Sequence, residues 1–181
     1  MTQLAPAYYD ASRAILRGLG APLTDTNVNL VAAWIVCEKG WHADPWQWNN
    51  PLNTTRKCCN WIRDVNSSGV KEYPTRDDGI EATVQTINNG LYPTIRNVLL
   101  TSGNPQTFLG ATQEISTWGT NPACISNAYS QLSPPPPESN NSSLIPPIPL
   151  PVPPQVILMA VGAAVMAGFG LYLLGEAIAE H

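Results

Sequence analysis

Apolar residues recur at helical spacing through most of the first two thirds of the chain. From Tyr9 to Leu19 the apolar set Ala11, Ala14, Ile15 and Leu19 lies on one face, and Gly20 follows as a stop. Thr26 is positioned to cap a second helix carrying Val28, Leu30, Val31, Trp34 and Ile35, which should end near Lys39-Gly40. Asp78-Gly79-Ile80-Glu81 has a capping-box pattern, and the helix it opens would bury Ile80, Val84 and Ile87 and end at Gly90. Pro93 starts a short helix through Val98 and Leu99, and Asn104-Pro105 another with Phe108, Leu109, Thr112 and Ile115. Between residues 41 and 75 the helical period is lost, so short strands or irregular loops belong there, with Val70–Tyr73 as one strand. The pattern predicts a mainly α domain, of α+β type, over residues 1–133.

Beyond it the pattern changes twice. Ten of the eighteen prolines fall between Pro134 and Pro154. Without backbone N–H donors this stretch cannot join helices or ladders, and it is expected to form an extended stalk of roughly 65 Å. Residues 156–174 then run for 19 residues without a charge. As a helix they would span about 28 Å, close to the hydrocarbon thickness of a bilayer. A transmembrane helix is therefore expected over residues 155–178, with a lipid membrane as partner through 156–174. Ala160, Ala164 and Gly168 form a small-residue row suited to close helix packing. Neither flank carries Lys or Arg, so charge sets no orientation.

Composition narrows the function. Charged residues make up 12%, the net charge is −4, and no long basic run exists, so nucleic acid is not an expected partner. Met1–Asp10 has neither a basic nor an apolar region, and a cleavable signal is not expected. The cysteines are Cys37, Cys58, Cys59 and Cys124. Their spacing argues against a zinc site, and no metal or cofactor is expected. They leave two alternatives of equal weight. One or two disulfides form, for example Cys37 or Cys124 with one of Cys58-Cys59, or two or more stay as buried thiols.

The chemistry centres on Glu38, placed where an apolar helix should end. Helix C-termini carry partial negative charge, and neighbouring Trp34 and Trp41 would desolvate the carboxyl. Both effects favour the protonated form, as a general acid acting on a sugar requires. Trp41, Trp46, Trp48 and Trp61 follow within a loop-like stretch rich in Asn and Thr, residue types that stack on and hydrogen-bond to saccharides. Asp44, Asp64, Asp77 and Asp78 are the nearby acids, but Asp77 and Asp78 read as helix caps and Asp44 as a turn residue before Pro45. With no second carboxylate standing out, a single-Glu mechanism is favoured over a carboxylate pair. His42 and His181 are the only histidines, which makes a Ser-His-Asp arrangement implausible.

Five ordered motifs carry a resemblance over roughly residues 7–130. They are Glu38 with Asn49-Asn50-Pro51-Leu52-Asn53-Thr54-Thr55, Tyr73-Pro74, Gly79-Ile80-Glu81-Ala82-Thr83, Asn89-Gly90-Leu91-Tyr92-Pro93-Thr94-Ile95, and Ser116-Thr117-Trp118-Gly119-Thr120. Together the segment resembles the lysozyme-like peptidoglycan-degrading domains of phage lysins and virion proteins. It is similar to the goose-lysozyme and lytic-transglycosylase side of that superfamily. The resemblance implies a helical lysozyme-like fold with Glu38 as catalytic acid. It also implies cleavage of β-1,4 bonds between N-acetylmuramic acid and N-acetylglucosamine, with bacterial peptidoglycan as partner. Asn50, Asn53 and Thr54 become candidate substrate contacts, with Tyr73 closing the site and Trp41 and Trp118 as further candidates. The Trp41–Trp48 segment and Cys58-Cys59 depart from the pattern. With stalk and anchor, the architecture resembles lytic transglycosylases on the internal membrane of tailless phages, where virion membrane or capsid proteins would be neighbours. That implies local wall opening during genome entry from a virion membrane. A membrane-retained host-lysis enzyme at the host inner membrane, or a non-catalytic glycan-binding or structural virion protein, fits the same features.

Overall fold

A computed structural model describes residues 2–138, and the predicted membrane span at 156–174 and the stalk beyond Glu138 lie outside the described residues. Among the described residues there are seven α-helices, α1 (Pro6–Leu19), α2 (Asp25–Lys39), α3 (Arg76–Ile87), α4 (Pro93–Thr101), α5 (Pro105–Gly110), α6 (Thr112–Trp118) and α7 (Pro122–Gln131). One antiparallel pair joins β1 (Arg63–Asp64) to β2 (Lys71–Glu72), with Arg63 opposite Glu72 and Asp64 opposite Lys71. The domain is mainly helical, as the periodicity predicted. No helix among the described residues is long and apolar enough to cross a membrane.

The core is organised around α2. Every residue from Leu30 to Val36 is buried, so this helix is apolar on all sides and must be enclosed. It packs against α1 and α7, while α3 covers the other flank of α1. Gly18 makes the α1–α3 approach possible, since a Cβ there would lie 2.7 Å from Val84 Cγ2.

Several boundaries differ from those predicted. The cap of α2 is Thr24, whose Oγ1 accepts from Asn27 N at 3.3 Å, and Thr26 lies within the helix. The α3 box opens at Thr75, whose hydroxyl accepts from Asp78 N at 3.1 Å and donates to the Asp78 carboxylate. Asp78 is the far corner of that box, and the helix ends at Ile87, before Gly90. The predicted helix after Pro105 is two helices, broken where Ala111 takes φ −76° and ψ 48°. Helix α7 was not anticipated, although Asn121-Pro122 carries the same start signal as Asn104-Pro105, and Asn121 Oδ1 accepts from Ala123 N at 2.9 Å.

The cysteine pairing also differs. Cys37 bonds to Cys124, tying the last turn of α2 to α7, and Cys58 bonds to its neighbour Cys59. Two disulfides form, as the even count allowed, but with a different pairing from the example of Cys37 or Cys124 joined to Cys58-Cys59, and no thiol among them is free. Contacts of the domain continue past residue 133. Asn29 Nδ2 donates to Ser133 O at 3.1 Å, the buried Arg13 guanidinium donates to Pro136 O, and Arg17 pairs with Glu138. The start of the proline-rich stretch is thus strapped along α1.

Candidate active site

Glu38 is half-buried in the final turn of α2, one turn after Trp34 on the same face. Its two oxygens have different partners. The Thr120 hydroxyl, delivered by the α6–α7 connection, donates to Oε1. Asn53 Nδ2 donates to Oε2 at 3.2 Å and to the Glu38 backbone carbonyl at 2.9 Å. Behind each donor stands a second group. The buried Trp34 indole donates to Thr120 Oγ1 at 3.0 Å, and Lys39 Nζ donates to Asn53 Oδ1 at 2.6 Å. Each second bond leaves its donor one orientation towards the carboxyl group.

Burial raises the Glu38 pKa above the ordinary carboxylate value, and the bonds from Thr120 and Asn53 and the Lys39 charge oppose that rise without cancelling it. Burial lowers Lys39 to about 8, against the pull of Glu38 and Asp44. Lys39 also lies 5.0 Å from the centre of the Trp48 ring. Trp48 and Asn49 both adopt left-handed backbone, with φ 60° and 51°. For a Trp this is strained, and here it turns the chain so that Trp48 O accepts from Tyr73 N at 3.0 Å.

The remaining predicted site residues divide sharply. Asn53 is at the carboxyl group. Asn50 and Thr54 are buried, with their polar groups turned inward. Asn50 Nδ2 donates to Thr54 O at 2.9 Å and Lys71 O at 2.8 Å, its Oδ1 accepts from Thr54 N at 2.9 Å, and the Thr54 hydroxyl bonds Thr86. These two hold the loop that presents Asn53, which corrects their expected role as substrate contacts. Tyr73 is also buried, its hydroxyl donating to Arg56 O at 2.7 Å. It supports the loop from beneath and does not close the site as a free aromatic. Trp118 is half-buried, donates to Leu52 O at 2.8 Å, and packs edge-on against Trp34 and Tyr92. Trp41 borders a cavity of 210 Å³ together with Thr2, Leu4, Tyr8 and His42, and Glu38 does not line it.

The other tryptophans hold cations of the protein itself. Arg76 lies 4.6 Å from the centre of the buried Trp46 ring, and Lys71 lies 5.0 Å from that of Trp61. The acids weighed as a second carboxylate are engaged elsewhere. Asp44 Oδ1 accepts from Trp46 N at 2.9 Å, Asp64 pairs with Lys71, and the Asp78 carboxylate accepts from the Thr75 hydroxyl. Asp77, like Asp78, sits in the first turn of α3.

Thr120, Trp34 and Lys39 were not predicted as site residues. Lys39 had a signal in its adjacency to Glu38, and Trp34 in its position one turn earlier. Thr120 had a signal in the fifth motif, Ser116–Thr120, but its contact with Glu38 spans 82 residues of sequence and could not be read from it. Compared with protein-family models, curated proteins and solved structures, the chain matches none of them.

Proposed function

We propose that the domain cleaves the glycan strands of bacterial peptidoglycan, with Glu38 as sole general acid, as a lysozyme or lytic transglycosylase. The observation that carries this reading is a helix-end carboxyl group kept towards its protonated form by burial, yet met by a donor on each oxygen. Such a group gives its proton to a glycosidic oxygen and is stabilised as the carboxylate that remains. Commitment of the Asp44, Asp64 and Asp78 carboxylates to other partners supports a single-Glu route over a carboxylate pair. After bond cleavage the oxocarbenium-like centre is captured by water or by the sugar's own C6 hydroxyl. With the stalk and apolar segment read from the sequence, the enzyme works from a membrane, in a virion during genome entry. The five-motif resemblance to phage lysozyme-like domains supports that setting.

The test compares the detergent-solubilised full chain with Glu38→Gln on purified peptidoglycan, with products analysed by mass. Replacing the acid should cost at least about 100-fold in rate. Equal product from both proteins would overturn the enzymatic reading. Anhydro-muramyl ends report the transglycosylase outcome, and reducing ends report hydrolysis.

A further inference from the structure

We infer that Thr120 is a positioning residue that gives the two oxygens of Glu38 different tasks. It fixes Oε1 as a standing acceptor and leaves Oε2 to carry the transferable proton, with Trp34 holding the Thr120 hydroxyl in its donor orientation. This rests on the glycan-cleaving reading above and names how the same site is set.

The argument begins with the inventory of a hydroxyl group, which has one proton and two lone pairs. An indole N–H can only donate. At 3.0 Å, Trp34 Nε1 therefore occupies a lone pair of Thr120 Oγ1, and the hydroxyl proton turns to the other neighbour, Glu38 Oε1. Thr120 is buried, and among the described residues its Oγ1 has no third partner. A proton on Oε1 would push the hydroxyl proton away and leave a buried donor unpaired. The carboxyl proton consequently sits on Oε2.

That oxygen receives the weaker support. Asn53 Nδ2 reaches it at 3.2 Å while holding the Glu38 backbone carbonyl at 2.9 Å. Oε2 is the oxygen that can exchange its proton with a substrate without breaking the Thr120 contact. Once the proton has left, both donors are already aimed at the anion, and no group has to move. The disulfide Cys37–Cys124 fixes the parts. It joins the residue before Glu38 to α7, four residues beyond Thr120. Lys39 is the charged group whose field reaches Glu38, and Asp44, in the following turn, acts on Lys39.

The experiment is a pH–rate profile on peptidoglycan for the full chain and for Thr120→Val, Thr120→Ser and Trp34→Phe. Each is paired with an NMR titration of ¹³C-labelled Glu38. The Thr120 bond favours the carboxylate, so removing it moves the Glu38 midpoint, and the alkaline limb of the activity, to higher pH. The maximal rate should fall roughly 10- to 100-fold. A lower rate together with a higher midpoint separates positioning from a general loss of structure, which lowers the rate and leaves the midpoint in place. Thr120→Ser keeps the hydroxyl and should restore both. Trp34→Phe should shift the midpoint in the same direction by less.

An active wild-type chain whose midpoint is unmoved in Thr120→Val overturns the positioning role alone. Equal impairment in Thr120→Val and Thr120→Ser also overturns it, and this arm survives poor folding of the valine variant. An inactive wild-type chain whose Glu38 titration still responds to Thr120→Val overturns the glycan-cleaving reading, and the catalytic role with it.

Discussion

The two sides of Glu38 are built by different physics. On one side is the helical body of α1, α2 and α7, where seven consecutive residues of α2, Leu30 to Val36, are buried. On the other is the stretch from Trp41 to Tyr73, with a two-residue strand pair, one 3₁₀ turn at Gln47–Asn49, and left-handed backbone at Trp48, Asn49, Asn53, Cys59 and Asn60. The body is held by apolar area removed from water, a non-directional force that tolerates exchange among similar side chains. The lobe is held by named polar contacts from Asn49, Asn50, Thr54, Lys71 and Tyr73. Removing one partner of such a contact leaves the other buried and unpaired. The Glu38 carboxyl group takes its position from the body and one of its two donors from the lobe.

The joint between these regions should be the most sensitive point. Gly79, in the first turn of α3, lies directly against the lobe, and a Cβ there would fall 1.5 Å from Asn49 O. A backbone carbonyl cannot step aside as a flexible side chain can. Gly79→Ala should therefore cost about 3 kcal/mol or more. Chemical denaturation of the full chain would measure it. A loss below about 1 kcal/mol would show that the lobe adjusts to the body freely, against the contrast drawn above.

Asn50→Ala acts within the lobe and separates the two regions more finely. It strips partners from Thr54 N, Thr54 O and Lys71 O, all in a buried setting, at a cost of about 2–3 kcal/mol. The damage should be local. Hydrogen exchange should quicken between Trp48 and Tyr73 while the amides of α2 and α7 keep their protection. Glycan cleavage should fall as well, since the loop presenting Asn53 is released. Uniform loss of protection would mean that lobe and body unfold as one unit.

The same contrast explains what the sequence made legible. The helices of the body follow from apolar spacing and from stops such as Gly20 and Gly40, and the position of Glu38 at a helix end follows with them. Asn53 could be singled out because it lies 15 residues from Glu38, in a motif that resembles a site loop. Asn50, Thr54 and Tyr73 stand in or near the same motif, and sequence alone does not tell which polar side chains of a loop face out and which hold it together. That depends on the positive φ angles at Trp48, Asn49 and Asn53, two of them at residues tolerant of such backbone and one at a Trp that is not. The Thr120–Glu38 contact and the Cys37–Cys124 bond were hidden for another reason. Both join segments more than 80 residues apart, and local periodicity carries no information about such pairs.

The smallest expected effect is on stability, at Glu38 itself, and its sign is set by the conflict between the two regions at that residue. The body buries the carboxyl group, which raises its pKa above 4.5, and the donors from Asn53 and Thr120 only partly restore the anion. The folded protein therefore holds a proton that the unfolded chain gives up at lower pH. The stability linked to this proton is fully present below about pH 4.5 and is lost as pH rises through the folded-state value. A glutamine stays neutral throughout. Glu38→Gln should thus gain on wild type as pH rises from about 4 to 7, by a few degrees of melting temperature relative to their difference at about pH 4, on top of a pH-independent cost where its amide nitrogen meets one of the two donors. Lys39, at about 8 with Glu38 among the charges that raise it, falls further in the glutamine variant, so the comparison is read on the acid side of neutrality, where Lys39 stays charged in both proteins. Melting curves of both proteins at several pH values test it. A difference that stays constant with pH would mean that the anion is as comfortable in the fold as in water, and that the donors, not burial, govern the site.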